Sequence, residues 1–471
     1  MIPTTFKRLV AAALAVGLAV PAAAQSRLGV PPLPASSPFR GGVPRGEATA
    51  EPVFVSLGDA IRRALEYNLG VLQAEEGLGR ARGDRWIALS SLLPHVNGTI
   101  TGNRRKNNLE AFGFPLTGGL PRIVGPFNLF EARAFLTQSV FDLPAIRETQ
   151  AESHTLAAAQ HDYRSARDLV VLVSANLYLE ALAAAARVDS ARAQLETAQA
   201  LYTQAQDLRK SGIVAGLDVI RAEVRMTADR QRATVANNEV QKAKLQLARV
   251  IGLPVGQEFT MSAQLPDVVP FPDITLEEAL KNAYRERPDY LAAIERVNAA
   301  ESSLAAIRSE RLPAVRVNAD YGTLGLSFSD ALPTFNLTAA VTVPIFEGGR
   351  IEGRATRAEA ELKQRRAEAE DMRAGVYYDV RSAFLDLQAT REELETATRS
   401  RDLAAQQLTQ SRDRFAAGVA SNLEVVEAQE AVTVASEQYI EALYGFNVAK
   451  ALLARSLGNG EQTVQKFLGA Q

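Results

Sequence analysis

Leu208-Arg-Lys-Ser-Gly212-Ile-Val-Ala-Gly-Leu217-Asp218-Val-Ile-Arg-Ala222 returns 206 positions later as Arg414-Phe-Ala-Ala-Gly418-Val-Ala-Ser-Asn-Leu423-Glu424-Val-Val-Glu-Ala428. Glycine, leucine, acid, valine and alanine recur in register. Each copy interrupts a long helical pattern and starts another. The glycine suits a left-handed helix end, because it has no Cβ to clash there. The acid six residues on stands where the next helix begins, beside free N–H groups and the positive end of the dipole. Each copy reads as a helix–turn–helix tip, and the chain carries two.

Working outward, the chain divides into two copies of one unit. Val55–His95 has a twin at Ile274–Ala314, offset by 219 positions. Leu57 matches Leu276, Ala60 matches Ala279, Ala64 matches Ala283, and Leu93-Pro94 matches Leu312-Pro313. Each reads as a short helix, a break near Asn68 or Pro288, then a helix of about six turns that proline ends. Long helices are expected at about Pro144–Lys210 and Gly349–Ala416, with returning partners at about Asp218–Ile251 and Leu423–Leu457. Leu156, Tyr163, Val170, Leu177, Ala184, Ala191, Ala198 and Ala205 keep a seven-residue step, the period of a coiled coil with small contact residues. The apolar run Leu169–Ala186 imitates a membrane span, but Glu180 and the heptad favour a buried coiled-coil face. The expected organisation is a signal peptide at 1–24 and a Pro/Gly-rich, mostly disordered leader at 25–54. A first repeat at 55–253, a linker at 254–273, a second repeat at 274–459 and a tail at 460–471 follow.

After each proline the period changes from 3.6 to 2. Strands are expected at about 94–103, 129–141, 313–325 and 335–346. Val96 and Ile100 lie opposite His95, Asn97 and Thr99; Val315, Val317, Ala319 and Tyr321 lie opposite Arg316, Asn318 and Asp320. Phe130, Ala132, Ala134 and Leu136 oppose Glu131, Arg133 and Thr137; Phe335, Leu337, Ala339 and Val341 oppose Asn336, Thr338 and Thr342. Two-faced strands of about ten residues suit a transmembrane barrel with lipid outside and water inside. Half of a soluble β-sandwich alternates too. The export signal and the absence of further strand material favour the barrel. His95, Asn97, Thr99, Arg316, Asn318 and Asp320 then face a lumen, and Phe130, Tyr321 and Phe335 suit its aromatic belts.

The 471 residues carry a net charge of −2, with no signal for nucleic acid. There is no cysteine, and the three histidines form no constellation for an enzyme, a cofactor or a metal. His154 and His161, seven apart on one helical pattern, read as a solvated helix face rather than metal ligands. Lys7 and Arg8, the apolar run Leu9–Val20 and Ala22-Ala23-Ala24 read as a cleaved secretory signal, with no lipid-bearing cysteine after it.

Four strands cannot close a barrel, because the smallest membrane barrels have about 8. An open edge in lipid leaves unpaired backbone groups. Several chains must share one barrel. Two chains give 8 strands, whose interior side chains fill; three give 12 and an open channel, which suits the polar inner faces.

The doubled repeat, the Leu-Pro strand starts, the exits Val140-Phe141-Asp142 and Ile345-Phe346-Glu347-Gly348-Gly349-Arg350, and the two tips together resemble the TolC family of outer-membrane efflux proteins. The resemblance runs from Val55 to about Asn459. It implies a homotrimer with a shared 12-stranded barrel in outer-membrane lipid, continued by an α-helical coiled-coil tunnel into the periplasm. It implies partners: a periplasmic adaptor protein at the helical tips and an inner-membrane transporter. No cofactor is implied. The family's entrance is narrowed by acids after the tips, which fall here on Asp218, Glu424 and Glu427. The adaptor-docking tips fall on Lys210, Ser211, Gly212, Ile213 and Val214, and on Gly418, Val419, Ala420 and Ser421. Where the family's best-known gate has a tyrosine and an arginine, this chain has Phe415 and Ala420, which cannot make those hydrogen bonds. A periplasmic coiled-coil adaptor or scaffold is the competing reading; it shares the long hairpins but has no need of two-faced strands.

Overall fold

The computed structural model describes residue 34 and residues 36–112, 121–261, 274–417, 419–458 and 460–467. The signal-peptide reading of 1–24 and parts of the leader, linker and tail fall outside them. The two repeats fold alike. α1 (Leu57–Tyr67) and α5 (Leu276–Glu286) each have 11 residues and open on a capping box, Ser56 with Asp59 and Thr275 with Glu278. One extended residue, Asn68 or Arg287, separates each from α2 (Leu69–Ser90) or α6 (Pro288–Ser309), both of 22 residues. The rods are α3 (Leu143–Lys210) of 68 residues and α7 (Arg350–Ala416) of 67, roughly 100 Å each at ~1.5 Å per residue. α4 (Gly216–Val250) and α8 (Asn422–Ser456), 35 residues each, return along them. α3 packs on α2 and α6 toward the sheet and on α4 toward its tip; α7 packs on α6 and α8.

Val170, Ala184, Ala191, Ala198 and Ala205 of the heptad are buried, and small side chains there let α4 approach closely. The apolar run within α3 is a core segment. Val170, Val171, Leu172, Ala175, Leu179 and Ala181 are fully buried, because α1, α8 and α9 (Gly460–Phe467) close over α3 at that height.

The strands β2 (His95–Asn108), β3 (Ile123–Phe141), β5 (Ala314–Gly325) and β6 (Leu332–Thr342) form one antiparallel sheet in the order β2-β3-β5-β6. Register aligns the two faces across all four. Val96, Leu136, Ala319 and Leu337 make one row, and Asn97, Phe135, Asp320 and Asn336 make the next. On the polar face Arg133 bonds Glu131 at 2.9 Å and Thr334 at 2.7 Å, and pairs with Asp320, so one side chain ties β3, β5 and β6. β2 and β6 pair on one side only. Three of the strands have bounds that differ from expectation by more than one residue. β2 runs on to Asn108 and β3 begins at Ile123, because a hairpin's backbone ladder continues whether or not side chains alternate. β6 spans 332–342 rather than 335–346; Pro344 lacks the N–H a further ladder step needs.

The described part of the leader is not loose. Asn68 Nδ2 donates to the Phe39 carbonyl at 3.0 Å, Val43 N to Tyr67 O at 2.8 Å and Leu69 N to Gly41 O at 3.0 Å. The Phe39 ring lies over Gly70, where a Cβ would meet it at 2.2 Å. A short parallel pair, β1 (Val53–Val55) with β4 (Phe259–Met261), ties leader to linker. Low hydrophobicity suggested disorder; the extended break at Asn68 supplies backbone partners that composition does not reveal. The tail likewise forms α9, whose Glu461 takes Arg167 at 2.7 and 3.0 Å.

Asp168 accepts the Glu461 N–H at 3.0 Å, and burial pushes its carboxyl up to about 6. Its ordinary value is 3.8, so the folded state holds the proton more tightly. The resulting stabilisation is full below the ordinary value and is lost as pH rises through the folded one. Asp168→Asn is expected to flatten that limb between about pH 4 and 6 in unfolding midpoints; an unchanged limb would assign it to another group.

Candidate functional site at the helical tips

α3 ends at Lys210, and the chain turns through Gly212 at φ +71°. Nothing lies within 4 Å of where its Cβ would sit, so this glycine serves the backbone angle and not a tight space. Ile213 N–H reaches back to the Leu208 carbonyl at 2.9 Å and Gly212 N–H to Arg209 at 3.0 Å, closing the helix end. The second tip closes in the same way, Val419 to Arg414 at 3.0 Å; Gly418 itself lies outside the described residues. Lys210, Ser211 and Ser421 are exposed, and Val214 and Ala420 are half-buried. Ile213 and Val419 hold twin positions at the two apices, and each is 69% exposed. Leu217 and Leu423, a second twin pair, are exposed beside them.

The three acids have different surroundings. Asp218 lies in the first turn of α4, half-buried, 3.5 Å from Arg221. Glu424 lies in the first turn of α8 and turns back to α7, 3.4 Å from Arg414 and 3.5 Å from the Ser411 hydroxyl. Glu427 is exposed, with no ion pair among the described residues. Phe415 is half-buried near the end of α7.

The two tips meet. Asn422 is buried, and its Nδ2 donates to the Asp218 carbonyl at 3.1 Å. Two turns beyond, roughly 10 Å up the helix, lies an ion network. Arg225 is buried and donates to Asp229 at 2.8 Å and to the Thr433 hydroxyl at 2.8 Å, and it pairs with Glu430. Arg232 holds Asp229 at 2.9 Å and Glu430 at 3.2 Å. Asp229 is 1% exposed, so two arginines offset the cost of burying its charge. This network joins α4 of one hairpin to α8 of the other. Sequence reading missed it and Asn422. Arg225, Asp229 and Arg232 do stand at i, i+4 and i+7 on one face. Their partners on α8 depend on how two separate hairpins rotate against each other, which spacing does not carry.

Elsewhere, His154 bonds Glu295 of α6 at 2.7 Å rather than approaching His161. Among the described residues no cluster of His, Cys, Asp and Glu has metal-binding geometry.

A family model described as outer membrane efflux protein matches residues 60–253 and 279–459. The pyoverdine export outer membrane protein OpmQ of Pseudomonas putida is 26% identical over 297 residues, 61% of this chain and 61% of the relative. OpmQ of Pseudomonas aeruginosa is 23% identical over 424 residues, 88% of this chain and 87% of the relative. The solved Campylobacter jejuni CmeC outer membrane channel matches with a TM-score of 0.75 at 16% identity, over 93% of this chain and 97% of that one.

The network sets a measurable contrast. Arg225→Ala leaves the buried Asp229 carboxylate to Arg232 alone and removes the bond to Thr433; it is expected to cost about 3 kcal/mol, seen as faster hydrogen exchange through the tip halves of α4 and α8. Glu430→Gln, at a half-exposed side chain, is expected to cost under ~1 kcal/mol. Equal effects would mean that Arg225 contributes no more than a surface pair.

Proposed function

We propose that this chain, which belongs to the outer membrane efflux protein family, is the exit duct of a tripartite efflux or type I secretion assembly. Three copies share a 12-stranded barrel in the outer membrane, and their paired hairpins form a tunnel that reaches into the periplasm. A cleaved signal peptide exports the chain, and no lipid anchor holds it. The observation that carries this reading is the sheet register: four aligned strands put apolar rows on one face, polar rows on the other, and leave an edge unpaired at each side. A periplasmic scaffold has no use for that arrangement. The relatives' pyoverdine export supports small-molecule cargo; the duct supplies passage, and an inner-membrane transporter supplies energy.

The entrance is at the tips. Repeated three times around an axis, Asp218, Glu424 and Glu427 form acidic rings that attract cations. Glu427, with no ion pair among the described residues, contributes most to such a ring, and Glu424 links it to the α7 end through Arg414. With Phe415 and Ala420 where the usual closing pair would stand, Asn422 and the Arg225 network hold the two hairpins together. The exposed twins Ile213 and Val419, with Lys210, Ser211, Gly212, Val214, Gly418, Ala420 and Ser421 around them, are the adaptor contact.

Outer-membrane fractionation and the mass of the detergent-solubilised particle test the assembly: three chains are expected, and a soluble or inner-membrane monomer would move the protein to the scaffold reading. Glu424→Gln with Glu427→Gln is expected to weaken divalent-cation block of single channels severalfold; unchanged block removes both from the entrance. Bulky β-branched residues at Gly212 and Gly418 are expected to abolish efflux while trimers persist, and normal efflux would place the adaptor contact elsewhere.

A further inference from the structure

We propose that the outward face at the far end of β2 binds the phosphate of an outer-leaflet lipid headgroup through Arg104 and Lys106. This inference rests on the membrane-barrel reading above. Near its end β2 reads Asn103-Arg104-Arg105-Lys106-Asn107, three consecutive cations with no acid between them. Alternation puts Arg104 and Lys106 on the face of Val96 and Ile100, and Arg105 on the polar face with His95, Asn97 and Thr99. The ladder irregularity between Arg105 and Asn107 does not disturb this. Arg105 pairs with Phe127 and Asn107 with Val124, so the extra residue is on β3, at Gly125-Pro126, and β2 keeps its period.

Height fits the headgroup layer. Arg104 is eight residues beyond Val96, ~26 Å along a strand. At the ~40° tilt of a barrel that is ~20 Å across the bilayer, close to the outer boundary of a ~25 Å apolar band. An aromatic pair marks the same boundary independently. Phe130 pairs across the ladder with Gly102 on this face, and its ring meets Phe328 edge-on at 5.1 Å between centroids. Aromatic rings settle at the membrane–water interface, with the charges just beyond them. Arg104 and Lys106 are exposed and make no ion pair among the described residues. The nearby Glu110 faces Arg122 at 4.0 Å, and Gly113–Leu120 contains no charged residue. Two unpaired cations above an aromatic girdle suit an anionic headgroup, and a threefold particle carries three such sites.

The test is native mass spectrometry of the purified particle titrated with a doubly phosphorylated glucosamine-disaccharide lipid, with its dephosphorylated form and with inorganic phosphate. The phosphorylated lipid is expected to bind, the dephosphorylated lipid to bind at least tenfold more weakly, and inorganic phosphate not to compete. R104Q/K106Q is expected to weaken binding roughly tenfold or more, while R105Q, on the other face, leaves it unchanged. Equal loss in both variants, retained binding in R104Q/K106Q, or competition by inorganic phosphate overturns the site. Outer-membrane fractionation and particle mass, read on the same samples, tell this failure from failure of the barrel reading: a membrane-inserted trimer that ignores the lipid sinks only the lipid site.

Discussion

An unpaired backbone edge cannot stay in hydrocarbon, and this chain has two of them. β2 and β6 each carry a ladder on one side only. Each unsatisfied N–H or C=O in lipid costs several kcal/mol, and an edge presents a row of them. Closure therefore has to come from other copies. The polar face is prepared for that closure: Arg133 ties β3, β5 and β6 within one chain, so the four strands form a third of a 12-stranded wall rather than a flexible ribbon.

Closure of the sheet also fixes the helices. α3 follows its hairpin almost directly, β3 ending at Phe141 and α3 beginning at Leu143, and α7 follows β6 after a seven-residue segment, 343–349. Whatever symmetry the barrel adopts is passed to α3 and α7, and through them to α4, α8 and the tips. The charge network between α4 and α8 then lies where the hairpins of one chain converge, and Asp218, Glu424 and Glu427 lie just past it. The tips present two kinds of surface, carboxylates near the convergence and branched apolar side chains at the apices. The first suits an ionic entrance and the second a protein contact.

Much of this was legible in the residues because duplication doubles every signal. A glycine, an acid and an alanine at matched positions in two copies locate the tips; prolines at 94 and 313 mark where helix gives way to strand. The strand faces followed from alternation alone, and the ladder register placed them side by side. Three things were hidden. The strapped leader reads as disordered by composition, yet its backbone bonds to the break at Asn68. The tail gives too short a pattern to announce α9. The Asn422 bond and the Arg225 network depend on the rotation of one hairpin against another, a long-range geometry that local spacing does not encode. Position alone sets Asp218 and Glu424 at helix starts, but Glu424 turning back to Arg414 was not foreseeable from it.

The unbroken length of α3 has a mechanical consequence. Its buried segment, centred near Ala175–Leu179, is gripped by α1, α8 and α9, whereas the tip beyond is held by far fewer neighbours. From that fulcrum to Lys210 is about 33 residues, a lever arm of roughly 50 Å at 1.5 Å per residue. A tilt of about 5° at the fulcrum would sweep the tip through roughly 4 Å, comparable with the width of a water molecule and its hydrogen-bonding neighbour. A rod of this kind converts a slight rocking at its middle into a large displacement of its end, with no helix needing to bend or unwind.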